Sequence, residues 1–128
     1  MQYIAHGVIQ EATTIAKTTQ TVMGVELACG HYDFLTLYLD YVNGDETGVI
    51  VKASIKQATG GTAYQDCSWT GSAGTKTVTQ NEYKMTASGN HYIVFDIRGC
   101  EYISFTQGGS DNDGTPTGTL AASYTMTG

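Results

Sequence analysis

Charge is what this sequence has least of. Only 14% of its 128 residues are Asp, Glu, Lys or Arg, against about a quarter in an ordinary soluble domain. Basic side chains are the scarcer kind, six against twelve acidic ones, for a net charge of −6. Lys17, Lys52, Lys56, Lys76, Lys84 and Arg98 are scattered and form no run. An acidic chain repels phosphate backbones, so nucleic acid is not an expected partner. No apolar run reaches the roughly 18 residues of a transmembrane helix, so no membrane partner is expected. Met1 to His6 lack the basic start and apolar run of a secretory signal, and the chain is expected to be made in a cytoplasm.

Chemical motifs are equally sparse. Cys29, Cys67 and Cys100 are widely spaced and include no C-x-x-C pair, which argues against a zinc or redox motif. They read as reduced, buried small hydrophobes. His6, His31 and His91 share no metal-ligand spacing. There is no G-x-S-x-G elbow, and Gly74-Thr75-Lys76-Thr77 lacks the preceding glycine of a phosphate loop. Asp40, Asp45 and Glu46 cluster at a turn, but carboxylate catalysis needs a fixed separation inside a cleft. They read as rim charges, and no enzyme is expected. Ser110-Asp111-Asn112-Asp113-Gly114 resembles the opening of a calcium loop, with Asp111 and Asp113 as ligands, but no Glu closes it. A solvated turn is the preferred reading. No cofactor is expected, calcium at that one loop being the weaker alternative.

What is abundant is β-forming material: Thr, Val, Ile, Tyr and Phe recur throughout, with glycines about every ten residues. There is a single proline, Pro116. Short strands with turn signals at that spacing read as a sandwich or a barrel, and the fold expected is one antiparallel, all-β sandwich of jelly-roll-like type. In Phe34 to Tyr41 three leucines share one face with Tyr41, while polar and aromatic groups share the other. Asn43-Gly44-Asp45 supplies turn chemistry, and Val49 to Ile55 alternates again, so the two strands are expected to pair as neighbours. Further strands are expected over 62–69, 75–79, 83–86, 91–98, 101–107 and 117–126. Residues 1–27 are expected to form an arm or the first strands, and 28–128 the sandwich.

The nine tyrosines and Trp69 admit three readings. Tyr38, Tyr64 and Trp69 could stack sugar rings on a flat platform, fill the core, or anchor a subunit interface.

The run Leu35-Thr36-Leu37-Tyr38-Leu39-Asp40-Tyr41-Val42-Asn43-Gly44-Asp45-Glu46-Thr47, followed by Val49 to Lys56, resembles a pattern in small tailed-bacteriophage virion proteins, among them capsid decoration (cement) proteins. Thr62-Ala63-Tyr64-Gln65 and the stretch Tyr83 to Gln107 fit the same pattern. The likeness covers residues 28 to 126. It implies a β-sandwich that binds the major capsid protein or another virion surface, often as a trimer, after assembly in the host cytoplasm. It carries over no catalytic residue. Tyr3, Ile4, Val8 and Ile9 in the uncovered N-terminal segment are the expected capsid or subunit contacts. The other function considered is a carbohydrate- or host-surface-binding module.

Overall fold

The computed structural model describes residues 3–17, 19–58, 60–110 and 115–128. Its strands are β1 (Ile4–Thr14), β2 (Thr21–Val22), β3 (Leu27–Ala28), β4 (Phe34–Val42), β5 (Val49–Lys56) and β6 (Ala63–Gln65). They continue with β7 (Cys67–Thr70), β8 (Thr77–Gln80), β9 (Tyr83–Met85), β10 (Gly89–Asp96), β11 (Tyr102–Gly109) and β12 (Thr119–Thr127). All pairings are antiparallel. Among the described residues no helix is long and apolar enough to cross a membrane.

Two sheets make a sandwich. One has the order β1-β12-β4-β10. The other has the order β2-β11-β5-β6, with β3 also beside β11 and β9 beside β5. The core forms where the period-2 apolar faces meet. Leu35, Leu37, Leu39 and Tyr41 of β4, with Leu120 and Met126 of β12, face Val49, Val51 and Ala53 of β5 and Ile103 and Phe105 of β11. Tyr83, Phe95 and Phe105 meet edge-on or tilted, with centroids 5.4–5.5 Å apart.

The turn after β4 is a correction to the sequence reading. β4 and β5 do not pair: they lie in opposite sheets, and residues 43–48 cross between them. Alternation is identical for a hairpin and a crossover, because both strands present an apolar face to the same core. Residues 86–88 likewise lead from β9 in one sheet to β10 in the other. The expected 62–69 strand divides into β6 and β7, the latter pairing only with β8 as a projecting hairpin.

Glu46 accounts for the shape of the first crossover, and it is the second correction. It is not a rim charge: only 4% of it is exposed. Its carboxylate accepts from the Tyr41 hydroxyl at 2.5 Å, the Gly44 N–H at 2.8 Å, the Gly118 N–H at 2.7 Å and the Thr117 N–H at 3.1 Å. The loop before β5 is thereby tied to the loop before β12. The approach is close enough to demand glycine at both contacts. A Cβ on Gly118 would run into the Glu46 carboxylate and the Val42 carbonyl, and one on Gly44 into Thr117 and the Gly118 amide.

The N-terminal segment is part of the sandwich. β1 is an edge strand on β12, and Ile9, Ile15 and Met23 enter the core. The chain then crosses sheets through Ala16, whose N–H donates to the buried Gln107 side chain at 3.0 Å and whose carbonyl accepts from Gly109 at 2.7 Å. Cys29 and Cys100 are buried free thiols, as expected, but Cys67 on β7 is exposed. A hairpin exposed on both faces has no interior in which to hide it.

Candidate functional site

The two outer faces of the sandwich differ in chemistry. Outside the β11–β5 sheet, Lys52 and Lys56 form ion pairs with Glu82 at 3.5 Å and Glu26 at 3.0 Å, among Ser54, Ser104 and Thr106. That is an ordinary solvated surface. Outside the four-stranded sheet, apolar and aromatic side chains alternate with small polar ones. Ile4 and Val8 from β1, Phe34, Tyr38 and Val42 from β4, and Tyr92 and Val94 from β10 are all exposed. Register brings them together: Tyr38 lies opposite Tyr92, Thr36 opposite Val94, and Ser123 of β12 bridges Val8 on one side to Tyr38 on the other. A depression of 350 Å³ between His6, Val8, Tyr38, Ser123 and Thr125 marks the middle of the face.

Charge on this face is confined. Asp40 is the carboxylate within it, and Asp96 stands at its end. Arg98 binds Asp96 through two nitrogens, at 2.9 and 2.5 Å, and lies 5.4 Å from the Phe34 ring centroid. The Arg98 side chain and its backbone N–H hold the exposed Asp96 carboxyl down at about 2. The contact therefore presents as a paired, aromatic-backed end, and the rest of the face carries Asp40, His6, Asn90, Thr, Ser and apolar groups.

The N-terminal candidates divide here. Ile4 and Val8 are exposed on the apolar face. Tyr3 is exposed beside it, against His31 and Tyr32. Ile9 is corrected: it is 8% exposed and packs in the core, so it is not a surface contact. With Ile4 and Val8 facing out, Ile9 falls on the inward face with Ala5 and Gly7, as strict period-2 alternation along the strand requires. Tyr38, Tyr64 and Trp69 are exposed but sit on three different sheets, and no ring contact among the described residues joins them. They are not one platform. Asp111 and Asp113 lie outside the described residues.

Phe34, Val42, Tyr92 and Val94 were missed by motif reading. Their signal is present in the sequence as strands apolar on both faces: Phe34-Leu35 and Tyr92-Ile93-Val94-Phe95. Such runs belong to strands covered on both sides, and in this chain one side is bare.

No protein-family model matches the chain, and no curated protein matches it. The fold has solved counterparts. The crystal structure of the SPBc2 prophage-derived protein YomS is similar with a TM-score of 0.60 at 17% identity, covering 100% of this chain and 96% of that one. A chain of infectious bursal disease virus, Gx strain, is similar with a TM-score of 0.51 at 12% identity. A chain of the T13 particle of the same virus is similar with a TM-score of 0.54 at 9% identity. This chain spans about a third of each viral chain, 32% and 31%. The all-β sandwich seen here is thus a fold shared with a prophage-derived protein and with chains of an icosahedral virus.

Proposed function

We propose that this is a non-enzymatic bacteriophage virion protein of the capsid decoration (cement) type, docking on the head through the outer face of its four-stranded sheet. The carrying observation is that face: seven exposed apolar or aromatic side chains with two carboxylates, Asp40 and the Arg98-paired Asp96. Burying such a surface against a capsid desolvates little charge, and the aromatic groups anchor it. The likeness of fold to prophage and viral chains supports the same reading. So does strand order. With β2 and β3 taken together, and β6 to β9 together, the strands run 1-8-3-6 in one sheet and 2-7-4-5 in the other, an order that favours two interlocked Greek keys and hence a jelly roll. The major capsid protein is the proposed partner.

The test is co-sedimentation with phage heads assembled without this protein. Wild type is expected to sediment with the heads and raise their thermal stability. A Val8→Glu/Tyr38→Glu variant, soluble and with wild-type circular dichroism, is expected to lose at least about tenfold in affinity, as for the loss of two central anchors. A variant that binds as wild type does would move the docking surface elsewhere. Wild type that fails to bind heads would end the decoration reading.

A further inference from the structure

Most strand edges of this sandwich are blunted. β2 and β3 have two residues each, β6 and β9 three, and β1 is broken by two register shifts. Short or bulged edges resist pairing with another strand. β10 differs. It runs for eight residues in unbroken register and pairs with β4 alone. It contains no proline, and its one carboxylate, Asp96, is at its end and paired with Arg98.

The ladder tells which groups are open. The Ile97 N–H donates to the Asp33 carbonyl at 2.9 Å, continuing the pairing of β10 with β4. Bonded positions alternate along an antiparallel ladder. His91, Ile93 and Phe95 therefore bond to β4, and the backbone N–H and C=O groups of Asn90, Tyr92, Val94 and Asp96 point away from the sheet. They have no backbone partner among the described residues. Beside this edge lies a cleft of 520 Å³ walled by Leu39, Tyr83, Met85, His91 and Ile93.

We infer that the protein forms a two-fold homodimer by antiparallel pairing of β10 with β10 of a second copy, fusing two four-stranded sheets into one. The edge is complementary to itself. Centred on Ile93, the pairing sets Tyr92 opposite Val94 of the partner subunit, an aromatic–β-branched pair of the favoured kind. It sets Asn90 opposite Asp96 of the partner subunit, so no two carboxylates face each other. The two Ile93 residues meet at the axis as a non-hydrogen-bonded pair, with Cα atoms about 4.5 Å apart. About eight backbone hydrogen bonds form. Centring on Val94 would instead oppose Asp96 to Tyr92. Centring on Tyr92 would recruit Ser88, whose hydroxyl already accepts from the Asn43 N–H at 2.8 Å. This two-fold replaces the three-fold order that the phage resemblance implies. It stands on the edge and does not depend on the docking reading, although it would double the apolar face.

Light scattering is expected to give twice the 13.6 kDa chain mass. Val94→Pro removes an outward N–H and spares the β4 ladder, so a folded monomer is expected. In a Cys67→Ser background, Ile93→Cys should give a disulfide-linked dimer on oxidation, within the reach of a disulfide. Val94→Cys should not, because that residue faces Tyr92 across the axis. A wild-type monomer or trimer, a Val94→Pro protein of wild-type mass, or no Ile93→Cys crosslink would each overturn the inference. Should Val94→Pro fail to fold, the pair of cysteine variants decides.

Discussion

Glu46 concentrates more of the fold's chemistry than any other side chain described. Burial by itself pushes its carboxyl up, but the Tyr41 hydroxyl and the Gly44 and Gly118 amides outweigh that and hold it at about 2. Burial, and then the bond to Glu46, push the Tyr41 hydroxyl up. A carboxyl near 2 when folded and near 4.5 when unfolded stabilises the fold fully above pH 4.5. That contribution, on the order of 3 kcal/mol, is lost as pH falls from 4.5 through 2. Glu46→Gln is expected to cost about 1–3 kcal/mol at pH 7 and to flatten the acid limb of stability, read by urea denaturation at pH 7, 4 and 3. An unchanged acid limb would place the titration elsewhere. The sequence displayed Glu46 as one more acidic residue beside a turn. Its burial depends on Thr117 and Gly118, more than seventy positions away, and nothing local announces them.

Elements were the more legible scale. The alternation of Leu35, Leu37, Leu39 and Tyr41 against Thr36, Tyr38 and Asp40 is reproduced in the burial of β4, because a pleated strand has only two faces. Leu37→Ala is expected to cost about 2–5 kcal/mol by leaving a cavity in a fully buried layer. Tyr38→Ala, one residue on, should stay within roughly 0.5 kcal/mol, as for other surface changes. Chemical denaturation of both variants checks the pair, and comparable losses would show that Tyr38 is packed. Pairing partners were not legible. Periodicity states which face of a strand is buried and is silent on which strand lies beside it, so β4 and β5 read as a hairpin although they face each other across the core.

At the scale of the molecule, Ile9, Ile15 and Met23 of the N-terminal segment share one core with the strands from β4 onward. Removing residues 3–14 would strip β12 of its outer neighbour β1 and take Ile9 from the core. The truncated chain is expected to lose its cooperative thermal transition, followed by near-ultraviolet circular dichroism. A transition within a few degrees of wild type would show β1 to be dispensable. Composition and period 2 were enough to determine an all-β sandwich, its strands and most of its core, because those follow from side chains close in the chain. Tertiary structure decided the rest: the crossovers, the burial of Glu46, the separation of Tyr38, Tyr64 and Trp69, the apolar face and the open edge of β10. Each depends on which distant strands become neighbours, and long-range pairing is set by the packing of two whole sheets, not by any one segment's pattern.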